Sequence, residues 1–238
     1  MRLDLFLIQC ELASDIKEAT GLILSGKVLV NDTPATKCGM HIRTDDSVRL
    51  RDIKEYVARS AHKLEAALNH FDIAVKNKIC IDVGSSTGGF TEILLKYEAA
   101  KVYAVDVAYG FLHPALRNDS RVIVYERKHI CDMNSADFPD ASIFTVDVSF
   151  ISLRKVIPCL KNILPKAQAI LLFKPQFEAE KKYLEKGIFN QEHSDILLQD
   201  FESFLEESKI FHQSHIKSPV KGTKGNQEFL YFVSWERV

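Results

Sequence analysis

One segment, residues 79–91, constrains this chain more than any other. Its apolar, β-branched start from Ile79 to Val83 breaks into small residues and then resumes with the helical spacing of Phe90 and Ile93. That order predicts a strand, a tight turn and a helix start, the place where an α/β sheet presents backbone N–H groups to a ligand. Glycines in the turn let a bulky ligand approach the backbone, because no Cβ stands in its way.

The glycine spacing in this turn indicates the kind of ligand. It reads D-x-G-x-x-x-G-G from Asp82 to Gly89, unlike the G-x-G-x-x-G of dinucleotide-binding proteins. The turn therefore favours an adenosine-containing cofactor without a pyrophosphate, and S-adenosylmethionine is the first candidate. Asp82 and Asp106 end the first two predicted strands, where an acid is placed to accept hydrogen bonds from ribose hydroxyls. The predicted cofactor-binding residues are Asp82, Gly84, Ser85, Ser86, Thr87, Gly88, Gly89, Phe90, Asp106 and Asp147.

Strands and helices alternate over most of the chain. After a helix at Ala61–Phe71, strands are predicted at 79–83, 102–106, 121–125, 143–148 and 169–173. This alternation predicts a mostly parallel, Rossmann-like α/β sheet that binds ligands at the carboxyl ends of its strands. The runs Phe211–Ile216 and Glu228–Trp235 predict two more strands, antiparallel at one edge.

The first fifty residues have a different pattern. Two helical patterns cover residues 2–26, and the motifs G-x-V-x-V-N and, later, D-x-V follow them. This order resembles the small α+β RNA-binding domain named after ribosomal protein S4. Basic residues that could contact phosphates are Lys17, Lys27, Lys37 and Arg43. Residues 1–54 hold eight basic and eight acidic side chains, however, so a packing or dimerisation domain remains the alternative.

Composition excludes several classes of protein. The 238 residues carry a net charge of −1, so the chain as a whole lacks the basic excess that would indicate a nucleic-acid partner. No apolar run approaches the roughly 20 residues of a membrane span, and no signal peptide is evident, so a soluble, cytoplasmic protein is expected. The chain has five cysteines: Cys10, Cys38, Cys80, Cys131 and Cys159. They form no C-x-x-C pair and are expected to be reduced thiols, with Cys131 and Cys159 in the core.

Taken together, the motifs resemble the FtsJ-like 2′-O-ribose methyltransferases. The resemblance is closest to their TlyA branch, the rRNA cytidine methyltransferases also called haemolysin A. Seven segments match in order: 59–64, 82–92, 106–110, 116–119, 147–153, 173–178 and 218–229. One departure is Ser60, which stands where many relatives have glycine.

The resemblance implies a catalytic Lys-Asp-Lys-Glu set, which falls on Lys63, Asp147, Lys174 and Glu228. It also implies methyl transfer from S-adenosylmethionine to cytidine 2′-hydroxyls of rRNA, with the large subunit favoured and the small subunit possible. Lys174 is the favoured base. A lysine that closes an apolar strand directly before Pro175 is costly to bury without a role.

The remaining expectations concern domains, partners and alternatives. The predicted domains are 1–52 and 59–238, joined by a linker at 53–58. A basic loop with Lys221 and Lys224 is expected to contact RNA or to form a solvated turn. The expected partner is rRNA or a ribosomal subunit, with monomer and weak dimer both open and no metal. Two alternatives are a catalytically silent ribosome-assembly factor and an indirect haemolytic activity.

Overall fold

The structure, a computed structural model, describes residues 1–10, 12–43, 45–50 and 56–236. The chain divides into two units, Met1–Glu55 and Tyr56–Val238, and each is described by itself below.

The predicted linker at 53–58 is only partly described, because residues 53–55 lie outside the described ranges. Tyr56 is buried, and its hydroxyl donates a hydrogen bond to Glu65 at 2.7 Å. The backbone N–H of Val57 donates to Glu92, also at 2.7 Å. Tyr56 and Val57 therefore pack within the larger unit.

The described residues of the smaller unit form two helices and a three-stranded antiparallel sheet. The elements are α1 (Leu3–Gln9), α2 (Ile16–Leu24), β1 (Val28–Val30), β2 (Thr33–Pro34) and β3 (Val48–Leu50), with strand order β2-β1-β3. Leu3 and Leu7 of α1 pack against Ile23 of α2 and Val28 of β1 in one small core. The two helices agree with the helical patterns predicted for residues 2–26.

The larger unit alternates strands and helices as predicted. Its helices are α3 (Ala61–His70), α4 (Gly89–Lys96), α5 (Pro114–Arg117), α6 (Leu153–Ile163), α7 (Pro175–Glu178) and α8 (Ser194–Glu207). Its strands are β4 (Ile79–Val83), β5 (Lys101–Asp106), β6 (Val122–Glu126), β7 (Ile143–Val146), β8 (Lys166–Phe173), β9 (Leu184–Glu185), β10 (Ile188–Phe189), β11 (Phe211–Lys217) and β12 (Phe229–Glu236). Within the described ranges, no helix is both long and apolar enough to cross a bilayer.

Seven of these strands form one sheet in the order β11-β12-β8-β7-β4-β5-β6. Strands β4 to β8 run parallel, whereas β12 pairs antiparallel with β8, and β11 pairs antiparallel with β12. The parallel α/β sheet and its antiparallel C-terminal pair are confirmed. Strand β7 ends at Val146, one residue before Asp147, which places that carboxylate on the loop beyond the strand.

Helices cover both faces of the sheet. Alternate residues of β4 point to opposite faces, so Ile81 belongs to one core and Cys80 to the other. Helices α6 and α8 pack in the core that holds Ile81. Helices α3 and α4 pack in the core that holds Cys80. This arrangement leaves the carboxyl ends of the parallel strands accessible to a ligand.

The structure contradicts the expectation for two of the cysteines. Cys131 and Cys159 form a disulfide with a Cα–Cα distance of 5.0 Å. Cys131 is exposed in a short 3₁₀ turn and Cys159 is half-buried in α6, so neither belongs to the core. Cys10, Cys38 and Cys80 are free. A separation of 28 residues carries no pairing signal, because connectivity depends on the tertiary fold.

Removal of this disulfide is expected to lower the free energy of unfolding by about 3 kcal/mol, because the unfolded chain loses a cross-link. The variant is Cys131→Ser/Cys159→Ser, and the measurement is denaturant unfolding without reductant. With dithiothreitol present, the wild type and the variant should unfold at the same midpoint. Titration of five thiols in unreduced, denatured wild-type protein would contradict the assignment.

Candidate active site

The turn between β4 and α4 lies directly against the end of β7. Gly84 has a φ of +82°, and a Cβ there would collide with the backbone carbonyl of Asp147. Gly88 has a φ of +100°, and a Cβ there would overlap Leu112 and Leu116. Both positions therefore require glycine for their backbone conformation and for space.

Asp106, at the end of β5, braces the same turn. Its carboxylate accepts hydrogen bonds from the backbone N–H groups of Ser86 and Ala108, each at 2.7 Å. A carboxylate offers about four acceptor sites, so capacity remains for ligand hydroxyls. Because Asp106 is half-buried and Ser86 is exposed, a ligand can reach this corner of the turn.

Asp82 differs from the sequence expectation, because it is completely buried. Its carboxylate accepts hydrogen bonds from the hydroxyls of Thr91 at 2.6 Å and Thr145 at 3.0 Å. Burial raises its pKa to about 7, against the hydrogen bonds from the two threonines, which lower it. The burial is inconsistent with direct contact between Asp82 and a ribose. The side chain instead ties β4 to α4 and β7 beneath the glycine turn.

This buried carboxyl makes stability depend on pH. Its pKa is about 7 in the folded chain against 3.8 as the ordinary value, so the folded state holds the extra proton between those pH values. Stability is therefore expected to fall as pH rises through this window, by roughly 4 kcal/mol in total. Asp82→Asn should remove this contribution, as measured by denaturant unfolding at about pH 4.5 and pH 7.5.

Asp72→Asn is the matched control, because Asp72 is exposed in a turn with a φ of +51° that asparagine tolerates. In this variant, the free energy of unfolding should differ between about pH 4.5 and pH 7.5 by the same amount as in the wild type. If Asp82→Asn kept the full pH dependence of stability seen in the wild type, the Asp82 carboxyl would not be its cause.

A lysine–carboxylate pair forms where β7 and β8 end. The two strands are parallel neighbours, with Val146 in register with Leu171, so the residues that follow them meet at one edge. The Lys174 Nζ lies 2.5 Å from the Asp147 Oδ1 and donates a hydrogen bond to the Ser149 Oγ at 2.9 Å. Lys174 is only 8% exposed, so these partners replace most of its contacts with water.

A second pair joins the first turn of α3 to the start of β12. The Lys63 Nζ lies 2.5 Å from the Glu228 Oε2, and both residues are buried. The antiparallel register of Phe229 with Phe173 places Glu228 beside Lys174 along the backbone. The amide nitrogen of Gln176 donates to the Glu228 Oε1 at 3.3 Å. Glu228 thus has partners on both carboxylate oxygens.

Both pairs line one cavity of about 670 Å³ beside the glycine turn. Its walls include Arg59, Ser60, Lys63, Gly84, Ser86, Asp147, Ser149, Phe150, Lys174, Gln176, Phe177, Gly187, Val220, Lys221, Gly222, Thr223, Lys224, Asn226 and Glu228. In the described part of the chain, the Gln176 Oε1 is a buried acceptor without a partner. The described ranges contain no group of three His, Cys, Asp or Glu side chains arranged to hold a metal ion.

Comparison with known families decides which kind of site this is. Residues 56–235 match the family described as FtsJ-like methyltransferase, and residues 1–48 match the S4 domain. The chain belongs to the FtsJ-like methyltransferases. The predicted fold class, a methyltransferase sheet with a small N-terminal domain, is therefore confirmed.

Individual relatives place the chain in the TlyA and hemolysin A branch of this family. The hemolysin A of Brachyspira hyodysenteriae is 38% identical over 97% of this chain and 98% of its own length. The 16S/23S rRNA (cytidine-2′-O)-methyltransferase TlyA of Mycobacterium tuberculosis is 40% identical over 78% of this chain and 71% of its own length. A solved structure of a hemolysin-like protein from Streptococcus thermophilus is 33% identical, with a TM-score of 0.75 over 99% of this chain and 88% of its own.

The structure brings together only part of the residue set predicted for this methyltransferase. Eight predicted residues line the cavity: Lys63, Gly84, Ser86, Asp147, Lys174, Lys221, Lys224 and Glu228. Phe90 is buried in the core that holds α3 and α4, which argues against contact with a cofactor. Ser85, Gly88 and Gly89 are also buried, whereas Thr87 is half-buried in the turn. The four basic residues predicted in the smaller unit are all exposed: Lys17, Lys27, Lys37 and Arg43.

Sequence reasoning missed several cavity residues. Ser149, Gln176 and Asn226 lie inside the motifs that carry the family resemblance, but they received no role. Their position in the sequence could have indicated two of them, because Ser149 and Gln176 each follow a predicted catalytic residue by two places. Ser60, the departure from the family pattern, has a φ of −61°, a conformation that a serine adopts without strain.

Proposed function

We propose that this chain transfers a methyl group from S-adenosylmethionine to the 2′-hydroxyl of a cytidine in ribosomal RNA. One observation carries the proposal: Lys63–Glu228 and Lys174–Asp147, pairs of residues distant in sequence, line one cavity beside the glycine turn. The fold is that of FtsJ-like methyltransferases, and the Mycobacterium tuberculosis relative is named for this reaction.

The residues around the turn fit the cofactor. Gly84 and Ser86 line the cavity, and the Asp106 carboxylate keeps acceptor capacity for hydroxyls of a nucleoside. When bound, S-adenosylmethionine supplies a methyl group on a positively charged sulfur. Asp147 lies between the turn and Lys174, because its carbonyl contacts the turn and its carboxylate holds the lysine. It therefore couples the position of the cofactor to that of the base.

Lys174 carries the proton chemistry in this proposal. As a neutral amine, Lys174 would accept the proton of the 2′-hydroxyl when that oxygen takes up the methyl group that bound S-adenosylmethionine would supply. Asp147 and Ser149 fix the direction of the amine. Lys63 and Glu228 lie beside this pair in the same cavity and orient the ribose. Alignment contributes about 7–11 kcal/mol in such reactions, and a base contributes about 10²–10⁴-fold, so positioning dominates.

RNA is the substrate class that the basic residues support. The exposed basic residues of the smaller unit lie in the part of the chain that matches the S4 domain. Lys221 and Lys224 stand at the cavity itself. Lysine and arginine side chains supply sequence-independent affinity for phosphates, and that affinity falls with salt.

The deciding experiment maps 2′-O-methyl groups in rRNA from cells with and without the gene. A cytidine that loses its methyl group in the deletion strain, and regains it when purified protein and S-adenosylmethionine are added, is the expected result. The large-subunit rRNA is the expected target, and the same map reads the small-subunit rRNA. Identical maps, together with normal rRNA binding, would support a catalytically silent assembly factor instead.

A further inference from the structure

A β-hairpin and a loop distant in sequence meet at the mouth of the cavity. The hairpin consists of β9 and β10, and its two-residue turn is Lys186–Gly187. The loop, residues 218–228, connects β11 to β12 and ends at Glu228. Gly187 and the loop residues 220–224 are all part of the cavity wall.

Asn226 joins these two segments with both ends of its amide. Its Oδ1 accepts a hydrogen bond from the backbone N–H of Phe189 at 2.8 Å, and its Nδ2 donates to the carbonyl of Gly187 at 3.0 Å. The residue is 4% exposed, so these bonds replace its contacts with water. Its own backbone carbonyl accepts from Gly222 at 2.9 Å, which ties the amide to the rest of the loop.

Other contacts support the same junction. The Lys224 Nζ donates to the carbonyl of Lys186 at 3.2 Å. Gly187 has a φ of +82°, which favours glycine, and a Cβ there would lie 2.9 Å from the Lys224 Nζ, so the end of this lysine side chain packs directly against the hairpin turn. Gly222 packs closely against the Glu228 carboxylate, since a Cβ at this position would lie 2.6 Å from the Glu228 Oε1.

The joined segments and the residues next to them carry an excess of positive charge. Residues 180–190 and 217–228 contain six lysines against three acids, and two of the acids are paired, Glu180 with Lys182 and Glu228 with Lys63. The lysines are Lys181, Lys182, Lys186, Lys217, Lys221 and Lys224. A surface of this charge beside a cavity favours a polyanion, because phosphates that bind to it release their counterions.

We propose that Asn226 is a positioning residue that unites the hairpin and the loop into one basic rim, and that this rim binds the RNA phosphates flanking the target nucleotide. The inference rests on the proposed function. The rim acts on substrate binding, whereas the methyl transfer itself depends on Lys174 and its partners.

Asn226→Ala tests the junction through enzyme kinetics. The KM for unmethylated rRNA is expected to rise about tenfold or more, while kcat and the dissociation constant for S-adenosylmethionine change less than about threefold. The dependence of rRNA affinity on salt should also become shallower, because fewer phosphates are bound. Asn162→Ala, an exposed asparagine in α6, is the matched control and should behave as the wild type.

Hydrogen exchange measured by mass spectrometry provides a readout that does not depend on activity. In Asn226→Ala, the Phe189 amide should lose protection, because its acceptor is gone. Asn226→Asp keeps an acceptor for Phe189 and loses the donor to Gly187, so protection should persist at Phe189 and KM should be intermediate. Asn226→Asp also keeps the test valid if the alanine variant fails to fold.

The outcomes separate the two proposals. An unchanged KM, an effect on kcat alone, or unchanged exchange across residues 184–189 in Asn226→Ala would overturn the role of the rim. Absence of rRNA methylation by the wild type would overturn the proposed function, while the exchange measurement would still report on the junction.

Discussion

Replacement of Lys174 by alanine is expected to reduce the single-turnover rate of rRNA methylation by about a thousandfold or more. The variant loses the group that we propose as the acceptor of the 2′-hydroxyl proton, together with its contacts to Asp147 and Ser149. Its affinity for S-adenosylmethionine should change less than about threefold, because the glycine turn and Asp106 remain in place. Quench-flow with labelled cofactor measures the rate, and calorimetry measures the affinity.

Two further variants define what Lys174 does. Lys174→Arg places a permanent positive charge at this position, and a guanidinium cannot accept a proton at neutral pH, so it should be nearly as inactive as the alanine variant. Lys166→Ala removes an exposed lysine from the other end of β8 and should retain normal activity. Wild-type turnover in Lys174→Ala would refute the role as base, and activity in Lys174→Arg would indicate a purely electrostatic role.

Replacement of Glu228 by leucine is expected to lower the free energy of unfolding by about 3–5 kcal/mol. The change leaves the Lys63 ammonium without its partner at a site where the lysine side chain is only 10% exposed. It also removes the acceptor of the Gln176 amide. Denaturant unfolding measures the loss, and methyl transfer should be lost as well.

The double variant Lys63→Met/Glu228→Leu separates stability from catalysis. Apolar side chains of similar size replace both charges, so most of the lost stability should return while methyl transfer stays absent. Glu98→Leu breaks the exposed pair with Lys76, whose side chains are 64% and 65% exposed, and should change stability by less than about 1 kcal/mol. Recovery of activity in the double variant would show that this pair supports only the fold.

Local patterns in the sequence were sufficient for the fold. The run from Ile79 to Val83 followed by glycines encodes a strand, turn and helix within about fifteen residues, and β4 and α4 form there. The apolar runs near the C-terminus likewise predicted β11 and β12 and their antiparallel arrangement. Such patterns are reliable because backbone conformation and the side-chain period respond to neighbours along the chain.

Burial is the property that the sequence did not indicate. Asp82 and Phe90 belong to the motif that predicts the turn, but the structure buries both. A motif marks which positions surround a site, whereas the direction of each side chain depends on what packs above and below the strand. Asp82 points to Thr91 and Thr145, which ordinary sequence spacing does not reveal.

By itself, the sequence determined the class of sheet, the glycine turn and, through a family resemblance, the four residues of the proposed catalytic set. Only the tertiary structure decided that Lys63 meets Glu228 across 165 positions, that Cys131 pairs with Cys159, and that Asn226 joins a hairpin to a loop. The physical reason is distance along the chain. Contacts within one turn or strand follow from local conformation, but contacts between remote segments exist only after strand order and register bring them together.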